Sequence, residues 1–231
     1  MKLCIALDLN SKKDNLNLIK KIKTKDIWLK IGLRSFVRDG KDFIDELKQI
    51  NPNFKIFLDL KLYDIPNTMA TTAYEIANMN IDMFNIHASS GYKAMNEVMN
   101  TIKEFNNPPL VLSVTALTSF DNDTFFSIYN DNIKSKAISF AKLSYKAGIN
   151  GVVCSVYESL DIKQKISNDF ITLTPGIRPF DTSKGDQKRV ATINEAKKNL
   201  SNFIVIGRPI YQNRDPYKIV CDILDEINRV N

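Results

Sequence analysis

Ile56-Phe57-Leu58-Asp59-Leu60-Lys61-Leu62-Tyr63-Asp64-Ile65-Pro66-Asn67-Thr68 is a short apolar run that acquires charges as it ends and then meets a proline. A run this short and this apolar reads as a strand buried on both faces, the pattern of a parallel sheet. Ile65-Pro66 suits a helix start, because proline's fixed φ and missing N–H cost nothing in a first turn. The stretch is therefore one β/α unit. Similar apolar runs occur at 3–7, 27–31, 56–60, 81–86, 110–114, 151–155, 170–173 and 203–206. Segments of helical period follow them, with helices expected over 12–23, 35–49, 67–79, 91–104, 133–147, 157–167, 188–199 and 215–229. Eight such units predict an α/β fold, a (β/α)8 TIM barrel forming a single domain over residues 1–231. A doubly wound sheet would place glycines in its first turn, and Asp8-Leu9-Asn10-Ser11 has none.

Composition agrees with a globular chain, since 44% of the 231 residues are hydrophobic and 25% charged. No linker or low-complexity tract divides the sequence. No stretch approaches the roughly 18 apolar residues of a membrane span, and the first residues run into a strand pattern without a cleavage signature, so a cytoplasmic protein without a membrane partner is expected. Cys4, Cys154 and Cys221 lack the spacing of a disulfide framework or zinc site and read as buried reduced thiols. The net charge of +6 comes from scattered lysines, which suits a solvated surface and no nucleic-acid partner.

In a barrel the C-terminal strand ends form the active-site mouth. Asp8, Lys30, Asp59, Lys61, His87 and Thr118 all fall at or just past such ends. Any one of them could make a salt bridge or hydrogen bond that only stabilises the fold, and His87 stays open between that role and a functional one. Four charges together are harder to explain that way, because desolvating them is costly unless a site requires it. Asp59 and Lys61 are two residues apart, which on a regular strand turns both side chains to the same side. Asp64 lies past the strand and, taken alone, equally suits a helix N-cap. Pro175-Gly176-Ile177-Arg178 and Gly207-Arg208-Pro209 follow the seventh and eighth strands. Either could be a capping turn with a surface arginine, but the two side by side suit a phosphate.

Asp59-Leu-Lys61-Leu-Tyr-Asp64-Ile-Pro-Asn-Thr68, Thr174-Pro-Gly-Ile-Arg178-Pro and Ile206-Gly-Arg208-Pro-Ile together resemble the bacterial-type orotidine 5′-phosphate decarboxylases. Asp8 in Ala-Leu-Asp, Lys30 in Leu-Lys-Ile-Gly, Thr118 in Val-Thr-Ala-Leu-Thr-Ser and Gln187 in Gly-Asp-Gln-Lys-Arg follow in the family's order. The resemblance implies conversion of orotidine 5′-phosphate to uridine 5′-phosphate with no cofactor and no metal. It further implies that Lys61 donates a proton to the pyrimidine C6 within an array of Asp59, Lys30 and Asp64. By the same resemblance Asp8 and Lys30 contact the ribose, Thr118 the pyrimidine, and Arg178, Gln187, Gly207 and Arg208 the phosphate. It also implies a homodimer in which Asp64 and Thr68 reach the partner's site, and a loop over 180–187 that closes on the phosphate. Asp-x-Lys-x-x-Asp is shared with metal-using sugar-phosphate decarboxylases and synthases, which leaves those as the second enzymatic reading. A nucleotide- or RNA-binding protein without chemistry is the third, raised by the basic charge.

Overall fold

A computed structural model describes residues 1–23, 25–181 and 189–229. Eight parallel strands, β1 (Lys2–Ala6), β2 (Trp28–Gly32), β3 (Lys55–Leu62), β4 (Met83–His87), β5 (Leu110–Val114), β6 (Gly151–Val153), β7 (Ile171–Thr174) and β8 (Phe203–Ile206), follow one another around a closed barrel. β1 pairs with β8 through Lys2↔Phe203 to Ile5↔Ile206, which closes the ring. The expected (β/α)8 TIM barrel is the fold.

The helices are α1 (Lys12–Ile22), α2 (Leu33–Ile50), α3 (Pro66–Ala77), α4 (Gly91–Ile102), α5 (Asn122–Tyr129), α6 (Ile133–Lys146), α7 (Val156–Lys165), α8 (Ile193–Lys198), α9 (Arg208–Tyr211) and α10 (Pro216–Asn228). α5 and α9 were not expected. α5 starts where Asp121 accepts the Thr124 N–H, and its single buried side chain, Phe125, leaves too narrow an apolar stripe to read as a helix. α8 begins at Ile193 rather than 188, because Thr192 and Glu195 satisfy each other's backbone N–H groups there.

Alternation along the strands separates two cores. Leu3, Ile5, Leu29, Ile31, Ile56, Leu58, Phe84, Ile86, Ile204 and Ile206 face the helices. Cys4, Ala6, Trp28, Phe57, Met83, Leu112, Val114, Val153, Leu173, Phe203 and Val205 fill the barrel interior. Trp28 and Phe203 meet edge to face at 5.0 Å. The next inward-facing layer, toward the C-terminal strand ends, is polar: Lys30 above Trp28, Asp59 above Phe57, and Asn85 and His87 above Met83. An apolar floor under a polar mouth is what positions the site.

Cys4 and Cys154 are buried free thiols, as expected, whereas Cys221 is half-buried because it sits toward the solvent side of α10. No helix among the described residues is long and apolar enough to cross a membrane.

Candidate active site

Asp8, Lys30, Asp59, Lys61, Thr118, Arg178, Gly207 and Arg208 line one cavity of about 220 Å³ at the C-terminal mouth of the barrel, over Ala6, Phe57, Val114, Val153, Leu173 and Val205. Asp59 is its electrostatic centre. One carboxylate oxygen lies 2.7 Å from the Lys61 Nζ and the other 3.3 Å from the Lys30 Nζ. Lys30 also reaches Asp8 at 3.5 Å. A Cβ on Gly32 would stand 3.0 Å from both the Asp8 oxygen and the Lys30 Nζ, so glycine leaves room for that pair.

Burial pushes the Asp59 carboxyl up, but the two lysine charges and the hydrogen bonds from Lys61 and Asn85 outweigh it and hold the group down to about 2. Burial opposes the charge on Lys30 too, and Asp59 and Asp8 override it, so the ammonium is held above its ordinary range. Asp59 and Lys30 therefore stay oppositely charged at neutral pH.

The way Asp59 and Lys61 meet differs from the expected alternation. Lys61 has φ 56°, in the left-handed region, and the β3–β4 pairing shifts register between Leu58 and Leu62. The ammonium reaches Asp59 across a bulge rather than along a regular strand.

Asp64 and Thr68 do not line the cavity of their own chain. The Asp64 carboxylate is exposed, accepts the Ile65 N–H at 2.7 Å and, among the described residues, makes no ion pair. Gln187 and most of the expected 180–187 loop lie outside the described residues. Arg178 is buried at the mouth and donates to the Ile177 carbonyl at 3.0 Å. Gly176, at φ 83°, makes the turn that carries it, while the Arg178 amide donates to the Ala191 carbonyl at 2.8 Å.

The chain matches the Orotidine 5′-phosphate decarboxylase / HUMPS family over residues 1–222. It is 62% identical to the orotidine 5′-phosphate decarboxylase of a Nitratiruptor species, covering 98% of this chain and all of that one. It is 56% identical to that of Sulfurimonas denitrificans, with the same coverage. The crystal structure of the Lactobacillus acidophilus enzyme superposes with a TM-score of 0.85 at 31% identity, covering 99% of each chain. The chain belongs to the orotidine 5′-phosphate decarboxylase / HUMPS family.

Two residues of this family member were missed in the sequence. Asn85 is fully buried; its Nδ2 donates to Asp59 at 2.7 Å and its Oδ1 accepts the Lys61 backbone N–H at 2.7 Å. Its signal was a lone amide on the inward parity of an apolar strand. Arg189 pairs with the buried Glu158 and donates to the Leu117 carbonyl at 3.3 Å, tying the segment before α8 to the loop that carries Thr118. It was hidden by the helix expected from 188. His87 accepts the Ser89 N–H on Nδ1 at 3.3 Å and stacks on Tyr63 at 5.7 Å, contacts that suit a structural role. Burial and then the Lys61 charge push its imidazole below its ordinary value.

The Asp59 carboxyl lies lower in the folded chain than its ordinary 3.8, so its ionised form stabilises the fold. That contribution, on the order of 2 kcal/mol, is complete above about pH 4 and is lost as pH falls toward 2. Acid unfolding followed by circular dichroism should show this slope in the native protein and a shallower one in Asp59→Asn. Superimposable curves between pH 4 and pH 2 would contradict it.

Proposed function

We propose that the chain decarboxylates orotidine 5′-phosphate to uridine 5′-phosphate, with Lys61 as the proton donor. The observation that carries the reading is the Lys61 ammonium, tied at 2.7 Å to Asp59 over an apolar floor. Breaking the C6–carboxylate bond releases CO2 and leaves the electron pair in an in-plane orbital at C6 that the ring cannot delocalise. A fixed ammonium beside that carbon stabilises the pair and then transfers a proton to it. Asp59 orients the Lys61 ammonium through one carboxylate oxygen, and Lys30 holds the other oxygen of Asp59. In this reading Asp8 and Lys30 bind the ribose and Thr118 the pyrimidine, and all three line the one cavity.

Arg178, Gly207 and Arg208 line the other part of the same cavity and supply the donors a phosphate requires. Binding energy at that remote group organises the reacting end. Both oxygens of Asp59 are engaged by ammonium groups, which favours a carboxylate that orients lysines over one that ligates a divalent cation.

We further infer a homodimer in which Asp64 and Thr68 complete the partner's site. Asp64 does not line its own cavity, and Tyr63 and Ile65 beside it expose 64% and 66% of their surface. Leu33 and Val37, at the start of α2, are exposed apolar side chains as well. Three unpaired cysteines suit the reducing cytoplasm.

Loss of the substrate's ultraviolet absorbance in the presence of a chelator tests the activity, and unchanged absorbance with folded protein would refute it. Arg208→Ala should raise KM by roughly 10- to 100-fold with a smaller change in kcat, the cost of one charged hydrogen-bonding group at the phosphate. A loss confined to kcat would remove Arg208 from that role.

A further inference from the structure

β3 and β4 pair as Phe57↔Met83 and Leu58↔Phe84 and resume only at Leu62↔Ile86, so four steps along β3 are matched by two along β4. Lys61 lies in the excess segment at φ 56°. Its backbone N–H has left the ladder, and a buried N–H requires another acceptor. The Asn85 Oδ1 provides it at 2.7 Å, while the Asn85 Nδ2 donates at 2.7 Å to the same Asp59 oxygen that receives the Lys61 ammonium at 2.7 Å. Only this amide orientation sets donor against acceptor at both ends.

We propose that Asn85 is a positioning residue for the proton-donating lysine, holding the bulge through the Lys61 amide and fixing the Asp59 oxygen to which the Lys61 ammonium is tied. A neutral side chain of this length that is donor and acceptor at once is a carboxamide. Leucine keeps the volume and loses both contacts. A carboxylate keeps the acceptor toward Lys61 but sets a second negative charge against Asp59. The inference rests on Lys61 being the proton donor.

The titratable groups gathered here are Asp59 and Lys61 of β3, Lys30 of β2, Cys4 of β1, Asp8 beyond it and His87 of β4; β5 contributes none. In Asn85→Asp the new carboxyl and Asp59 would compete for one proton. When protonated, the new group again offers a donor to Asp59 and a carbonyl to the Lys61 amide.

Asn85→Asp should therefore lower kcat by roughly 10- to 100-fold at about pH 8. It should regain at least about fivefold, relative to the native enzyme, as the pH falls to about 5.5. Asn85→Leu should show a similar loss without that recovery, and both should bind uridine 5′-phosphate within about threefold of native affinity. Native kcat in both variants would overturn the proposal, as would equal loss of kcat and product affinity, or a pH profile of Asn85→Asp parallel to the native one. Failure of both variants to fold would assign Asn85 to the barrel wall and overturn it as well. If the native enzyme turns over and Lys61→Ala does not, these failures belong to the Asn85 proposal alone. If the native enzyme is inactive, or Lys61→Ala keeps full activity, the reading of Lys61 itself falls.

Discussion

Lys61→Ala is expected to lower kcat by about 10⁴-fold or more, because one substitution removes both the charge facing C6 and the proton it delivers. The fold should survive. The Lys61 side chain is 37% exposed, so its truncation opens no buried cavity. Asp59 would keep Lys30 at 3.3 Å and the Asn85 amide at 2.7 Å, so its carboxylate is not left as an unpaired buried charge. Affinity for uridine 5′-phosphate should change far less than kcat, since the phosphate donors follow β7 and β8 at the far side of the mouth. Single-turnover measurement of CO2 release, alongside product binding, checks this. A loss of less than about tenfold in kcat would remove Lys61 from the chemistry.

The second large effect concerns the boundary of the site. Lys61→Ala and Asp64→Ala, each nearly inactive alone, should regain activity when their subunits are exchanged. If Asp64 completes the partner's site, a mixed dimer carries one doubly altered site and one native site. Random exchange of equal amounts makes about half the dimers mixed, so roughly a quarter of native activity should return. Activity that stays at the level of the separate variants would show a self-contained site. The expectation follows from position: within one chain the Asp64 carboxylate turns to its neighbour's amide, and the strand has ended at Leu62.

How the site came to be legible differs residue by residue. Asp59 stood out because a carboxylate in a continuous apolar run is costly unless it is paired. The two arginine loops stood out because glycine and arginine recur after adjacent strands. Asn85 carries no charge, and an amide within Met83–His87 reads as an ordinary hydrogen bonder until its partners are known. Arg189 was masked by lysine-rich surroundings of helical period, and its meaning lies in Glu158, 31 positions away.

The sequence by itself determined the eight β/α units, the strand ends on which the charges fall and, through its motifs, the family, because hydrophobic periodicity and local residue spacing are written along the chain. Only the tertiary structure decided that Lys61 meets Asp59 across a bulge rather than along a regular strand, and that Asn85 lies between them. A register shift is a property of two strands paired in space, set by which amides find partners, and β3 alone does not encode it. The charged run at Asp59 was visible from the start, but the hold on its lysine comes from the neighbouring strand.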